Sequence, residues 1–122
     1  MCATYYARTS DHGYETCAEH LAMAGCLAGG FAKGFGYLDD GLLAGLVHDL
    51  GKYSDAFQRR IRNPDHCGPV DHSTAGALLL MRHVCPLAAM AVAGHHAGLP
   101  DLGSYGELEG STFMSRMNRA RR

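Results

Sequence analysis

The sequence predicts an all-α fold: a helical bundle with a central His/Asp metal site. Three observations predict it. Ala, Leu, Met and Gly dominate, and no stretch alternates β-branched with polar residues as a half-buried strand does. Apolar residues recur at helical spacing in successive segments. Eight histidines stand among 122 residues, several of them beside Asp or a second His near the ends of those segments.

The first helix is expected from Tyr14 to Lys33, with His20, Ala24, Leu27 and Phe31 on one apolar face and Gly34 and Gly36 ending it. The second runs from Asp39 or Asp40, as cap, to Leu50. Its buried stripe is Leu42, Leu43, Leu46, Val47 and Leu50, and Gly51 is placed to cap its C-terminus. A short third helix covers Ser54 to Arg62. Asn63 to Pro69 is a loop, marked by Asn-Pro and Gly-Pro. The fourth helix runs from Asp71 to Val84. The fifth starts at Pro86, tolerated in a first turn, and ends near His96. Ala97 to Gly110 is Gly-rich and loop-like, and Ser111 caps a last basic helix of about three turns.

The length suits one small domain spanning residues 1–122. A net charge of −1 announces no nucleic-acid binder in bulk. The arginines are clustered, at Arg59, Arg60 and Arg62 and again at Arg116, Arg119, Arg121 and Arg122. Such clusters fit a solvated helix face and phosphate contact equally well. The cysteines (Cys2, Cys17, Cys26, Cys67, Cys85) are odd in number and lack any C-x-x-C pair. They read as free thiols of a reducing cytoplasm. No signal peptide and no run of about 20 apolar residues is visible, so neither export nor a membrane span is expected.

The chemistry centres on His48-Asp49-Leu50-Gly51-Lys52. A carboxylate has two oxygens and can bridge two cations, and a neutral imidazole suits transition metals. Alone, a His-Asp pair is a weak signal. Three further elements add to it: Glu19-His20 on the first helix, Asp71-His72 opening the fourth, and His95-His96 ending the fifth. Taken singly, His20 reads as a core histidine and His72 as a helix-start residue, but two adjacent histidines after an apolar helix are rarely needed for packing. A bundle can point all of them at one site. His83 stands 11 residues beyond His72, roughly 16 Å along a helix axis, and is assigned to packing or surface. His12 and His66 fall in loops, and His66-Cys67 lacks a partner pair at zinc-finger spacing.

Glu19-His20-Leu21, the run Ala44 to Ser54, the run Val70 to Ala77 and the run Ala93 to Asp101 together resemble the HD nuclease domain of the type I CRISPR-associated nuclease-helicase, most closely its I-C branch. The core motifs span residues 19–101. The resemblance implies an HD-domain helical bundle, a divalent-metal phosphodiesterase and nuclease activity. It also implies a single-stranded DNA substrate, exposed by a guide-RNA surveillance complex and a helicase portion. It assigns one metal to Asp49, His72, His95 and His96, and the other to His20, His48 and a bridging Asp49. Lys52 matches a lysine near the scissile phosphate, where the alternative is a surface lysine. Imidazole-rich N/O ligation favours Fe, Mn, Co or Ni over Mg. The family carries a further aspartate on a later helix, and this sequence does not match it. Asp101 follows the histidine pair too closely, and Glu107 and Glu109 are poor substitutes. A truncated domain with a second metal weakly held or missing is therefore expected. Two other readings stay open: an HD phosphohydrolase acting on nucleotides, and a catalytically incomplete remnant or assembly module.

Overall fold

The smallest side chains set how the first two helices meet. In the computed structural model, which describes residues 2–122, α1 (Cys17–Lys33) and α2 (Leu38–Val47) pack through Gly25 and Gly29 on one side and Gly41 and Gly45 on the other. A methyl group on Gly45 would stand 2.4 Å from the Ala24 carbonyl oxygen, so the backbones themselves touch. On the other side of the seam Leu46 and Leu42 of α2 lie over Gly25 and Gly29, each only partly covered by so small a neighbour. Leu27, Phe31, Leu43 and Leu46 are exposed, which corrects the apolar faces expected from spacing. The true buried line on α1 is Cys17, Leu21, Gly25 and Gly29.

After α2 the chain forms a 3-10 helix (Leu50–Tyr53), then α3 (Asp55–Arg62), α4 (Thr74–Arg82), α5 (Pro86–Gly94) and α6 (Phe113–Ala120). The main core lies between the last three: Ala77 and Leu80 of α4, Ala88, Ala89, Val92 and Ala93 of α5, and Phe113 and Met117 of α6. Burying these apolar side chains is worth about 25 cal/mol per Å² removed from water, which is what holds three short helices together. Among the described residues no helix is long and apolar enough to cross a membrane.

The all-helical expectation is corrected at the N-terminus. Strands β1 (Tyr6–Ser10) and β2 (Gly13–Thr16) form an antiparallel hairpin turning at Asp11 and His12. Gly13 takes φ +118°, a conformation that side chains resist. A lone hairpin is marginal in water. This one is held by the buried Gln58 of α3, whose side chain accepts from Tyr6 N (3.1 Å) and donates to Tyr6 O (2.9 Å) and Lys52 O (2.8 Å).

Helix ends differ from expectation for local reasons. α1 starts at Cys17, not Tyr14, because Thr16 and Glu19 form a capping box. Asp39 and Asp40 sit in the first turn of α2 and Tyr37 occupies its cap position. α2 ends at Val47, three residues early, and Gly51 lies inside the 3-10 turn instead of capping the helix. α4 starts at Thr74, where Asp71 accepts from Ser73 N (3.0 Å) and Thr74 N (3.1 Å). α5 stops at Gly94. α6 is capped by Thr112, not Ser111, and is only eight residues long.

Candidate metal centre

Asp49 lies in the bend between α2 and the 3-10 helix, 3% exposed, with each carboxylate oxygen facing a different set of side chains. Oδ2 is 3.0 Å from His20 Nε2, 3.1 Å from His48 Nε2 and 2.8 Å from Lys52 Nζ. Oδ1 is 3.2 Å from His95 Nε2 and 3.5 Å from His72 Nε2. His96 joins the second set, its Nε2 2.6 Å from that of His72. Ligand atoms of Asp49, His72, His95 and His96 lie within 4.8 Å of one another, and so do those of His20, His48 and Asp49. Residues 75 positions apart in the sequence thus face one carboxylate because α1, α2, the start of α4 and the end of α5 converge there.

The far side of each ring explains its orientation. His48 Nδ1 is 2.8 Å from Gly45 O, His72 Nδ1 is 3.0 Å from Val70 O, and His95 Nδ1 is 2.7 Å from Val92 O. A carbonyl oxygen only accepts, so Nδ1 carries the hydrogen in all three and, in the neutral ring, Nε2 presents a lone pair. His20 has a carboxylate in that place, with Glu15 Oε2 3.3 Å from Nδ1. Fixing one ring nitrogen so that the other is a ligand is how metal sites orient imidazole.

Neutral imidazoles in this tautomer cannot hydrogen-bond to one another or to a carboxylate through Nε2. Lone pairs facing the Asp49 carboxylate at 3.0–3.5 Å are favourable only with positive charge between them. Without metal, protons and Lys52 supply it. His48 is raised above the ordinary imidazole range chiefly by its bond to Asp49, with burial opposing. Burial alone would raise the Asp49 carboxyl, but the bonds from His48, His95 and Lys52 overcome it and hold the group well below the usual carboxylate range. His96 is lowered by burial and by the neighbouring His95 and His72. The donor set could therefore hold a metal ion.

The structure brings together His20, His48, Asp49, Lys52, His72, His95 and His96. Lys52 is 9% exposed and is not a surface lysine. His12, His66 and His83 are exposed and lie outside both groups. Among the described residues, Asp101, Glu107 and Glu109 also join neither group. Glu107 instead accepts from Thr112 Oγ1 (2.8 Å) and Ser104 N (3.1 Å).

Sequence reasoning missed three supporting residues. Glu15 backs His20, and a helix expected to start at Tyr14 hides this, because Glu15 belongs to strand β2. Gln58 braces Lys52 through its backbone and gives no local signal. Arg116, read only as one of a basic cluster, donates inward to Ala93 O, Ser73 Oγ and Thr74 Oγ1. Arg119 likewise donates to Leu108 O and Gly110 O, both at 2.8 Å.

No family model, no curated protein and no solved structure matches this chain.

Proposed function

We propose that this chain is a metal-dependent HD-type phosphodiesterase, and specifically a nuclease that cuts single-stranded DNA in CRISPR antiviral defence. The observation that carries the phosphodiesterase reading is Asp49, which turns one oxygen to His20 and His48 and the other to His72 and His95. That is the arrangement a carboxylate bridging two cations requires. Fe, Mn, Co or Ni suits this imidazole-rich set better than Mg. When bound, such ions supply Lewis acidity at phosphoryl oxygens and an acidified water as nucleophile.

The chain's own residues do the rest. The anchored imidazoles hold the ligand geometry without reorganisation. Lys52 reaches the same space from a buried stem, so its ammonium can follow charge as it develops on a phosphoryl oxygen. The choice of single-stranded DNA as substrate, and of a helicase and a guide-RNA surveillance complex as partners, rests on the motif resemblance alone. The same holds for the HD name.

The unequal sets favour one secondary reading. Three side chains face one position and four the other, so a protein that holds metal at one position only, and does not turn over, is the competing case. The test is cleavage of single-stranded DNA by the purified chain with Mn, Fe(II) or Ni, beside metal counting on the same sample. Cleavage that EDTA abolishes, with metal bound, is the expected result. Hydrolysis of nucleotides or cyclic nucleotides but not DNA redirects the assignment to a nucleotide phosphohydrolase. Bound metal without turnover supports the partial site. Neither metal nor cleavage in folded protein overturns the enzyme reading in favour of an assembly module.

A further inference from the structure

Arg116 stands at the centre of α6, half-buried, with its guanidinium directed into the fold. Nη1 donates to the carbonyl oxygen of Ala93 at 2.7 Å. Nη2 donates to Ser73 Oγ and to Thr74 Oγ1, both at 2.9 Å. These acceptors belong to two separate elements. Ala93 lies in the last turn of α5, whose final carbonyls have no partner within the helix, and the chain runs from there directly to His95. Ser73 and Thr74 open α4, immediately after His72. One planar cation therefore straddles the two segments that deliver His72 and His95, at the ends nearest those ligands.

We propose that Arg116 is a positioning residue for one half of the metal centre: it fixes the start of α4 against the end of α5, and so sets the spacing of His72 and His95 about Asp49 Oδ1. The inference rests on the metal-site reading above. Its selectivity follows from what the clamp does not touch. His20 and His48 come from α1 and α2, and Arg116 contacts neither element among the hydrogen bonds of the described residues. Loosening the clamp should therefore weaken the Asp49/His72/His95/His96 set and spare the His20/His48/Asp49 set. A lysine cannot span three acceptors as the guanidinium fork does, so Lys restores only part of the effect.

The test is Co²⁺ titration followed by visible absorption, below the melting temperature of every variant as verified by circular dichroism. In a His48→Ala background, which leaves the four-residue set, adding Arg116→Ala should lower Co²⁺ affinity by about 10–100-fold, the usual effect of losing a residue that orients a ligand. Arg116→Lys should fall between the two. In a His72→Ala background, which leaves the three-residue set, adding Arg116→Ala should change nothing. Leu80→Val loosens the core around α4 without touching the clamp. It should lower the melting temperature while leaving affinity unchanged, which separates positioning from general stability. Should Arg116→Ala not fold, the Lys variant carries the comparison alone. Equal weakening of both sets, or of neither, overturns the inference and leaves the metal-site reading intact. A parent chain that binds no Co²⁺ overturns both.

Discussion

Replacing Gly51 with alanine tests how closely the His-Asp bend must approach the segment that carries His72. A Cβ on residue 51 would stand 2.5 Å from His72 Cα and 2.7 Å from the His72 carbonyl oxygen. Carbon atoms pack at about 3.5–4.0 Å, so the two segments must part by about 1 Å. They are joined there by Gly51 N donating to His72 O at 3.1 Å, and that bond is lost or bent. Both atoms met are backbone, so no rotamer change relieves the overlap. Overpacking of this kind costs about 1–3 kcal/mol. In a domain of this size about 4 °C of Tm goes with each kcal/mol, which gives a fall of about 4–12 °C. The functional consequence is sharper. Metal–ligand distances tolerate only about ±0.2 Å, so a shift of that size detaches His72 from the Asp49 Oδ1 set. Thermal unfolding by calorimetry and Co²⁺ titration of Gly51→Ala should show the lower Tm and an affinity reduced at least about tenfold. Gly68→Ala is the control: nothing lies within 4 Å of a Cβ there, and it should behave as wild type. A Gly51→Ala protein with unchanged Tm and unchanged affinity would refute the close-approach argument.

Three further predictions follow from the same geometry. His48→Ala and Asp49→Ala should each abolish metal-dependent cleavage, while His83→Ala, exposed at the end of α4, keeps it near wild type; equal loss in all three, measured on single-stranded DNA, points to misfolding and rejects the site assignment. The pH dependence should differ in sign with and without metal. His48 is raised on folding, so its contribution to the metal-free protein is present below the unfolded value of about 6.5 and lost as pH rises through the higher folded value. Only neutral imidazole binds metal, so the increment in Tm from added Co²⁺ should grow over the same range. His96, lowered by burial and by its imidazole neighbours, contributes with the opposite sign, so melts in EDTA and in Co²⁺ between about pH 6 and 8 compare wild type with His48→Ala; a metal-free Tm that falls no more steeply with pH in wild type than in His48→Ala contradicts the His48 assignment. Gly30 lies exposed inside α1 with nothing within 4 Å of a Cβ, so Gly30→Ala should stabilise the fold by about 0.5–1 kcal/mol in denaturant titration.

The helical segments after residue 17 and the polar residues of the site were legible because both are written locally. Helical spacing, Pro86 at a first turn and Asn-Pro and Gly-Pro in a loop each act within a few residues. The chemistry-bearing side chains were legible because unpaired histidines beside carboxylates have few packing reasons to occur together. Capping residues were legible in principle: Thr16-Cys17-Ala18-Glu19 is a capping-box pattern, and it places the start of α1 three residues later than apolar spacing does. The hairpin also had a local signal, in Tyr and Thr flanking Asp11-His12-Gly13, but so short a unit becomes stable only through Gln58, 52 positions from Tyr6.

The sequence by itself determined that the chain is mostly helical, and it singled out His20, His48, Asp49, Lys52, His72, His95 and His96 as the candidate site residues that the fold brings together. Tertiary structure decided the rest. It decided which faces are buried, because α1 and α2 meet through glycine, and glycine contact depends on what the partner helix offers and not on the apolar count of either one. The motif resemblance already implied two histidine sets sharing Asp49, and tertiary structure decided which carboxylate oxygen faces each set, because that depends on where four elements converge. It turned Arg116 from one member of a basic cluster into a clamp, because a hydrogen bond between residues 116 and 93 costs the entropy of closing a loop that only the assembled core can offset.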